Sequence, residues 1–468
     1  MKVRTRFAPS PTGIDAHIGS AYTALLNLAF ARKNGGRFIF RLEDTDRERL
    51  VAGFEENFKK SMNWLGIIWD EGPDVGGNYG PYRQSEKLET YRKYALLLVE
   101  KDVAYFCFCS KERLEELRND QTHRSQPTGY DGLCRRLDPK ESRQRWEKGE
   151  RGVIRLKVPK EGQTKFNDAV RGEVVFGNSQ LDDQVLLKSD GYPTYHLAVV
   201  VDDHQMEITH VIRAEEWLSS TPKHVLIYQA FGWDLPIFAH TPILRNVDKS
   251  KLSKRKNPVW VSWFRDQGYL PEALLNFLAL QAWSHPEGKD IFTLEEFIEK
   301  VSLERLSKTG PAFDLKKLEW MNGEYLRGTG IMNLELRIKE FYDHKFTQEQ
   351  VGKAYPLVKE RMKKLSDFES LAGFLFNPPT DYKNYHFSYL KELLLILEGL
   401  NVPWQKEEWE KSLRKLAEEK KVKSGDIFMD LRVAISGSNV GPDLFESIEF
   451  LGEEEVLRRV GNLIENHG

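Results

Sequence analysis

The sequence predicts an α/β fold built on a parallel sheet, and three observations support this prediction. A strand-like run at Val3–Ser10 leads into a helical apolar pattern, and a second strand-like run at Arg37–Asp44 leads into an amphipathic helix that reaches about Leu65. Strands that alternate with helices in this way are typical of a parallel sheet. The chain has 468 residues, which is enough for about three domains.

The first predicted helix follows a turn that contains two prolines, two glycines and a histidine. Its apolar positions recur at helical spacing up to Phe30, and Asn34–Gly36 ends the pattern. His17 and Gly19 therefore lie at the helix N-terminus, where unpaired backbone N–H groups and the helix dipole favour phosphate. His17 can donate a hydrogen bond to a phosphoryl oxygen, and Gly19 lets a flat ligand approach the backbone. The spacing matches neither a dinucleotide fingerprint nor a P-loop, and a purely structural turn is the alternative.

A strongly basic run, KSKLSKRK, occupies residues 249–256. It follows the strand-like Ile237–Leu244 and precedes Pro258. A solvated charge run is one interpretation. The other is a loop that folds over a triphosphate and neutralises departing pyrophosphate, for which lysine is suited as a mobile point charge.

The composition excludes several classes of protein. Hydrophobic residues make up 40% of the chain and charged residues 30%, as in soluble globular proteins, and no run approaches the ~20 apolar residues that span a bilayer. The N-terminus lacks the apolar segment of a signal peptide, and three cysteines cannot build a disulfide framework. We therefore expect a cytoplasmic protein with no membrane partner. Because the net charge is −2, a nucleic acid would have to bind at local basic patches.

Together these motifs resemble those of a known enzyme family. HIGS (His17–Ser20) and KLSKR (Lys251–Arg255) resemble the two signature motifs of class I aminoacyl-tRNA synthetases. The segments RFAPSPTG, FRLEDTD, DGYPTYHLA, VIRAEEW, LRNVDKSKLSKRK and FDLKKLEWMNGEYLR are similar to the glutamyl-tRNA synthetase branch and occur in its order over residues 6–327. The resemblance implies a class I Rossmann-like parallel-sheet catalytic domain, an α+β acceptor-binding insertion and an all-α C-terminal anticodon-binding tail.

The resemblance also divides the chain into segments, with linkers predicted at RGTG and NPPT. The predicted segments are a catalytic domain at 1–93 and 194–246, an acceptor-end binding insertion at 94–193, a stem-contact domain with the KLSKR loop at 247–328, and two anticodon-binding helical modules at 329–380 and 381–468.

A pocket for L-glutamate is implied by the same resemblance. Its residues are Arg6, Ala8, Ser10, Glu43, Tyr195, Val199 and Arg213. Arginine makes planar, bidentate contacts with a carboxylate, so Arg6 and Arg213 would select glutamate over glutamine, while Glu43 would neutralise the ammonium group. Some relatives carry asparagine where this chain has Val199, so we expect packing at that position instead of a polar contact.

In the reaction that the resemblance implies, the glutamate carboxylate attacks the α-phosphorus of ATP and the tRNA 3' end then accepts the glutamyl group. Positioning and charge stabilisation carry most of the rate. Mg²⁺ is expected with ATP, and activation of glutamate is expected to require bound tRNA. The implied ATP-binding residues are His17, Gly19, Ser20, Glu216, Trp217, Lys251, Ser253 and Lys254, of which His17, Gly19, Lys251 and Lys254 are the catalytic candidates.

The cysteines of the predicted insertion follow the pattern C-x-C-x24-C, at Cys107, Cys109 and Cys134. Structural zinc usually has four nitrogen or sulfur ligands. Relatives with zinc here supply the fourth from a tyrosine, present in this chain as Tyr130, or from a histidine, where this chain has Arg136. One structural Zn²⁺ and three unligated thiols both remain open.

The tail reads as helical, and the resemblance implies that it binds the anticodon, with Arg361 in contact with a base. Whether tRNA(Gln) is charged in addition to tRNA(Glu) is left open. A monomer is expected because no long heptad repeat stands out.

Several other functions were considered. A glutaminyl-tRNA synthetase would have a β-barrel tail, and a truncated tRNA-modifying relative would have none. An adenylyltransferase with a similar histidine turn would not need the tail, and a non-catalytic tRNA-binding paralogue would not need His17, Gly19, Lys251 and Lys254.

Overall fold

The computed structural model describes residues 2–250, 252, 258–382, 385–399 and 404–467. Lys251, Ser253 and Lys254, which the resemblance assigns to the ATP site, lie outside these residues. The chain forms two compact units, one made of Met1–Trp263 with Leu275–Asp314 and the other of Phe264–Leu274 with Leu315–Gly468.

All the described strands belong to the first unit. They are β1 (Arg4–Phe7), β2 (Arg37–Phe40), β3 (Ala104–Cys107), β4 (Val153–Leu156), β5 (Gln163–Asp168), β6 (Gly172–Gly177), β7 (Val185–Leu187), β8 (His210–Ala214) and β9 (Ile237–Thr241).

The α-helices continue through both units. They are α1 (Ile18–Lys33), α2 (Phe54–Trp64), α3 (Leu88–Glu100), α4 (Lys111–His123), α5 (Pro139–Glu147), α6 (Tyr195–Gln205), α7 (Thr221–Phe231), α8 (Val261–Asp266), α9 (Pro271–Ala279), α10 (Leu294–Lys300), α11 (Leu315–Gly328), α12 (Ile331–Phe341), α13 (Gln348–Val358), α14 (Asp367–Ala372), α15 (Leu390–Gly399), α16 (Lys406–Lys420), α17 (Ser424–Ser436), α18 (Leu444–Leu451) and α19 (Glu453–His467). Within the described ranges, no helix is both long enough and apolar enough to cross a membrane.

The predicted parallel sheet is present. β1 pairs with β2 and β8 pairs with β9, both in parallel. The backbone N–H of Thr209, just before β8, donates to the carbonyl oxygen of Arg4 at 3.0 Å and so connects the two pairs. Helix α1 packs on this sheet, where the Asn27 side-chain amide donates to the carbonyl oxygen of Ile212 at 3.0 Å. The predicted order of strand, turn, helix and strand at the start of the chain is therefore confirmed.

The segment at residues 94–193 contributes to two sheets. β3, β4 and β7 form an antiparallel sheet of their own. The hairpin of β5 and β6 instead extends the sheet that contains β8 and β9, because β5 lies parallel to β9 with Asp168 opposite Phe238. This part of the chain is consequently tied to the parallel sheet by a strand as well as by its two ends.

The second unit is helical throughout its described part, as the sequence predicted. One hydrophobic core gathers buried residues of α12 to α14, including Leu334 and Phe368. A second core gathers residues of α15 to α19, including Trp409 and Val460. Amphipathic helices that bury their apolar faces against one another account for both cores.

Candidate active site

A cleft with a volume of about 1260 Å³ lies at the carboxyl ends of β1, β2 and β8. Ligands of open α/β sheets usually bind at this end of the strands. Ligand pockets commonly measure ~300–1,000 Å³, so this cleft has room for an amino acid together with a nucleotide. The predicted site residues that line it are Arg6, Ala8, Ser10, His17, Gly19, Ser20, Glu43, Tyr195, Arg213, Glu216 and Trp217.

The side chain of His17 caps the N-terminus of α1. Its Nδ1 accepts the N–H of Gly19 at 3.0 Å, and its carbonyl oxygen accepts the N–H of Ser20 at 2.7 Å. The N–H of Ile18 donates to the carbonyl oxygen of Val259. The expectation of unpaired N–H groups at this helix end is therefore wrong, because His17 and Val259 supply acceptors for them. Since Nδ1 accepts, the neutral ring carries its proton on Nε2, the nitrogen that can donate to a phosphate oxygen.

Described residues within and after the basic run lie at the cleft or at the same turn. Leu252, inside the run, lines the cleft. After the run, Val259 accepts the N–H of Ile18 at 2.7 Å and Val261 donates to the carbonyl oxygen of Ala16 at 3.0 Å. The segment that follows the basic run is therefore hydrogen-bonded to the histidine turn.

Arg213 is buried, and the acceptors around its guanidinium are neutral. Nη1 donates to the hydroxyl of Tyr195 at 2.6 Å, Nη2 to Oγ1 of Thr221 at 2.8 Å and Nε to Nε2 of His240 at 3.1 Å. Among the described residues, no carboxylate oxygen lies within 4.0 Å of this guanidinium. A buried guanidinium that lacks a counter-ion beside an open cleft is suited to a carboxylate ligand.

Arg6 differs from Arg213 because the protein supplies its counter-ion. Nε of Arg6 lies 3.1 Å from Oδ1 of Asp203, and Nη1 of Arg41 lies 2.7 Å from the same oxygen. Burial alone would raise the pKa of Asp203, but the positive charges of Arg6 and Arg41 outweigh burial and hold this pKa below its usual range. Arg6 lines the cleft with its charge already partly compensated.

Glu43 is a carboxylate that lines the cleft and could bind an ammonium group. Its side chain is 10% exposed, and it accepts a hydrogen bond of 3.0 Å from Nη2 of Arg41. Burial raises the pKa of Glu43, although Arg41 and Arg6 act in the opposite direction. A bound ammonium group would favour the charged carboxylate, so Glu43 is suited to the amino group of an amino acid.

Aromatic side chains form one wall of the cleft. The ring centroids of Tyr195 and Trp217 lie 4.3 Å apart. Val199 is on the same helix as Tyr195, but it is 2% exposed and packs with Leu197 and Val200 in the hydrophobic core. Val199 is not among the described residues that line the cleft, and the expectation that it packs against the amino acid stays a prediction.

The charged residues behind the cleft were not predicted from the sequence. Arg41 is fully buried between two neighbouring carboxylates of α6, at 3.6 Å from Asp202 and 2.7 Å from Asp203. A usable signal was present, since two aspartates directly follow the apolar run Leu197–Val201. Buried charges need partners, and the pair therefore pointed to a buried cation.

Further basic side chains, not predicted from the sequence, also line the cleft. These residues are Arg47, Arg49, Lys111, Arg151 and Lys188. Lys111 and Arg151 are exposed, and Lys188 donates to the carbonyl oxygen of Thr45 at 3.1 Å. Exposed cations around a cleft attract polyanions such as the phosphates of a nucleic acid.

The three cysteines come together with Tyr130. Sγ of Cys109 lies 3.5 Å from Sγ of Cys134, and the Tyr130 hydroxyl lies 3.4 Å from Sγ of Cys107 and 3.6 Å from Sγ of Cys109. All three sulfur atoms lie within 4.8 Å of one another. Tetrahedral zinc with sulfur ligands places them about 3.8 Å apart, so the four donor atoms fit such an ion.

Arg361 is exposed in the turn that follows α13. Arg432 of α17 is half-buried and donates to the carbonyl oxygen of Pro442 at 2.7 Å. An exposed guanidinium such as that of Arg361 is suited to contact phosphates or base edges.

Known proteins match the whole chain. The family model described as "tRNA synthetases class I (E and Q), catalytic domain" matches residues 2–320, and the model described as "Anticodon binding domain" matches residues 331–464. A glutamate–tRNA ligase of Thermus thermophilus is 49% identical over 471 residues, which cover 98% of this chain and 99% of that protein. The corresponding ligase of Fusobacterium nucleatum is 44% identical over 501 residues, covering 100% of this chain and 98% of that protein.

A solved structure is similar over its full length. It is the crystal structure of a glutamate tRNA ligase from Elizabethkingia meningosepticum in complex with its amino acid, with a TM-score of 0.86, 35% identity and coverage of 100% of both chains. The chain therefore belongs to the glutamate–tRNA ligase family of class I tRNA synthetases.

Proposed function

We propose that the protein attaches L-glutamate to tRNA(Glu) in the cytoplasm, as a monomer. Glutamate and ATP form glutamyl-adenylate with release of pyrophosphate, and the glutamyl group then moves to the tRNA 3' end. The observation that carries this proposal is that the His17 turn, Leu252 of the basic run and Arg213 line one cleft.

Recognition of glutamate follows from the charges in the cleft. The guanidinium of Arg213 binds the side-chain carboxylate, which supplies a counter-ion that none of the described residues supplies. Glu43 binds the ammonium group, and Arg6 and Ser10 complete the pocket. Glutamine is rejected because its neutral amide would leave the buried charge of Arg213 uncompensated.

ATP binds at the N-terminus of α1. Nε2 of His17 donates to a phosphate oxygen, and Gly19 and Ser20 border the nucleotide beside it. Glu216 and Trp217 form the opposite wall. On the basis of the sequence motif, Lys251, Ser253 and Lys254 bind the phosphates, and Mg²⁺ accompanies ATP as its counter-ion.

The tRNA contacts two parts of the chain. The basic side chains at the cleft, among them Lys111 and Arg151, contact the phosphates of the acceptor end. Arg361, which is exposed after α13, contacts the anticodon. The proposed domains are a catalytic domain at 1–93 and 194–246, an acceptor-end insertion at 94–193, a stem-contact domain at 247–328 and anticodon modules at 329–380 and 381–468.

One Zn²⁺ is proposed as a structural ion of the insertion. Cys107, Cys109, Cys134 and Tyr130 would hold it, and the ion would cross-link β3 to the segment around Cys134.

Isotope exchange between pyrophosphate and ATP tests the activation step. We expect exchange that requires glutamate and tRNA(Glu) together. Lys254→Ala should abolish it, whereas Lys249→Ala, a matched change in the same basic run but outside KLSKR, should retain it. Absence of exchange both with and without tRNA would instead support a non-catalytic tRNA-binding protein.

A further inference from the structure

Asp168, His240 and Arg213 form a hydrogen-bonded row across three adjacent strands. Nε of Arg213 on β8 lies 3.1 Å from Nε2 of His240 on β9, and Nδ1 of His240 lies 2.6 Å from Oδ2 of Asp168 at the end of β5. All three residues are buried, with exposed fractions of 3% for Asp168, 0% for His240 and 5% for Arg213. Of the three, only Arg213 lines the cleft.

The arginine fixes the protonation of His240. Because Nε of arginine is always a donor, Nε2 of His240 must be the acceptor, and its proton therefore sits on Nδ1 and points to Asp168. Burial lowers the pKa of His240, with the hydrogen bond to Asp168 acting in the opposite direction, so the ring is neutral. His224, whose Nδ1 lies 3.5 Å from Nη2 of Arg213, is also kept neutral by burial and by the charge of Arg213.

Asp168 is held firmly by the backbone around it. Its Oδ1 accepts the N–H groups of Val170 at 3.0 Å and Arg171 at 2.9 Å, and its Oδ2 accepts the N–H of His240 at 3.1 Å. These contacts fix the carboxylate at the position where it accepts the hydrogen bond from Nδ1–H of the imidazole. Arg213 and His240 are also cross-strand neighbours in the register of β8 and β9.

The imidazole separates the carboxylate from the guanidinium. Asp203 contacts Arg6 directly and compensates its charge, whereas Asp168 orients Arg213 through a neutral ring. Orientation and charge compensation are thus separated: Arg213 is held by hydrogen bonds yet keeps its positive charge for a ligand in the cleft.

We propose that Asp168 and His240 are positioning residues that direct the guanidinium of Arg213 at the side-chain carboxylate of the amino acid and so set the preference for glutamate over glutamine. The inference rests on the proposed function. It assigns the preference to two residues that do not line the cleft.

Two substitutions at His240 separate positioning from packing. His240→Gln places an amide oxygen where Nε2 lies and can still accept from Arg213, whereas His240→Met fills a similar volume without an equivalent acceptor. We expect His240→Met to raise the KM for glutamate about 10-fold or more, with the KM for ATP unchanged, and to reduce discrimination against glutamine. His240→Gln should stay within about 3-fold of the natural protein. Equal KM values for glutamate in the two variants would overturn the proposal.

Asp168→Asn provides a second, independent test. The asparagine amide can donate to Nδ1, and the imidazole proton then moves to Nε2. The N–H of Nε2 would face the N–H of Arg213 Nε, so the hydrogen bond between them would be lost. We expect a raised KM for glutamate with the KM for ATP unchanged. Asp430→Asn is the matched control, because Asp430 is a buried aspartate of the second unit that likewise accepts two backbone N–H groups.

The possible results distinguish the two proposals. If the natural protein gives no glutamate-dependent exchange, the proposed function fails. If it is active and Asp168→Asn leaves both the KM for glutamate and the discrimination against glutamine unchanged, only the positioning role fails.

Discussion

The hydroxyl of Tyr195 accepts a hydrogen bond of 2.6 Å from Nη1 of Arg213. This contact joins the first residue of α6 to β8 at the wall of the cleft. It is the shortest contact of the Arg213 guanidinium among those with His240, Tyr195 and Thr221. The orientation of Arg213 therefore depends on a residue that itself borders the ligand.

Tyr195→Phe removes that acceptor and keeps the ring beside Trp217. We expect the KM for glutamate to rise about 10-fold, because a hydrogen bond to a charged group contributes about 1.5–3 kcal/mol. Steady-state kinetics with glutamate and with ATP would show the change for glutamate alone. Tyr385→Phe, which loses a phenol hydrogen bond to Asp430 in the other unit, is the control and should leave both KM values unchanged.

Two substitutions of His17 separate its role as the N-cap of α1 from its role as a hydrogen-bond donor to ATP. His17→Asn retains a good N-cap residue but loses the Nε2 donor, so stability should be kept while exchange falls about 10- to 100-fold. His17→Ala should in addition lose about 1 kcal/mol of stability with the cap. Thermal unfolding and exchange assays measure the two effects. Full activity of His17→Asn would contradict a role for Nε2.

Asp203 makes the stability of the protein depend on pH. Arg6 and Arg41 hold its pKa below the ordinary value of 3.8, so its stabilising contribution is present above that value and is lost as the pH falls through the lower pKa of the folded state. We expect Asp203→Asn to lower the free energy of unfolding by about 3–5 kcal/mol at neutral pH, because the buried guanidinium groups of Arg6 and Arg41 would lose the carboxylate that they share. Unfolding followed at pH 7 and at pH 3 should show a smaller difference between the two proteins in acid. A difference that does not change with pH would contradict this account.

Metal analysis tests the cysteine cluster. Protein purified without chelator is expected to hold one zinc ion per chain, and Cys109→Ser should lose it together with thermal stability. Tyr130→Phe keeps the three thiolates and should bind zinc more weakly. A zinc-free natural protein whose thermal unfolding does not change when zinc is added would disprove the site.

Arg361→Ala tests recognition of the anticodon. We expect weaker charging of tRNA(Glu), by about 1–3 kcal/mol in kcat/KM if Arg361 contacts a base. The exposed Lys353 of α13, in an ion pair with Glu349, is the control site. Charging of tRNA(Glu) and tRNA(Gln) should be compared side by side, since a base contact predicts a changed ratio whereas a phosphate contact predicts an equal loss for both.

Local patterns explain which parts of the molecule the sequence predicts. Helix α1 follows from apolar spacing and from the Asn34–Gly36 stop, and the His17 turn follows from its short motif. The contact between Arg41 and Asp203 joins residues 162 positions apart, and no local pattern encodes such a pairing. A motif position suggested a contact of Val199 with the amino acid, and burial of Val199 in a core cluster leaves that contact a prediction.

The pairing of β5 with β9 has a practical consequence for any attempt to shorten the protein. Deleting residues 94–193 would strip the hairpin from β9 and expose its backbone groups as a bare sheet edge, a surface prone to self-association. A trimmed fragment limited to the nucleotide fold would also lose Asp168. A minimal version of this enzyme therefore has to retain Gln163–Gly177 even where the rest of the insertion is dispensable.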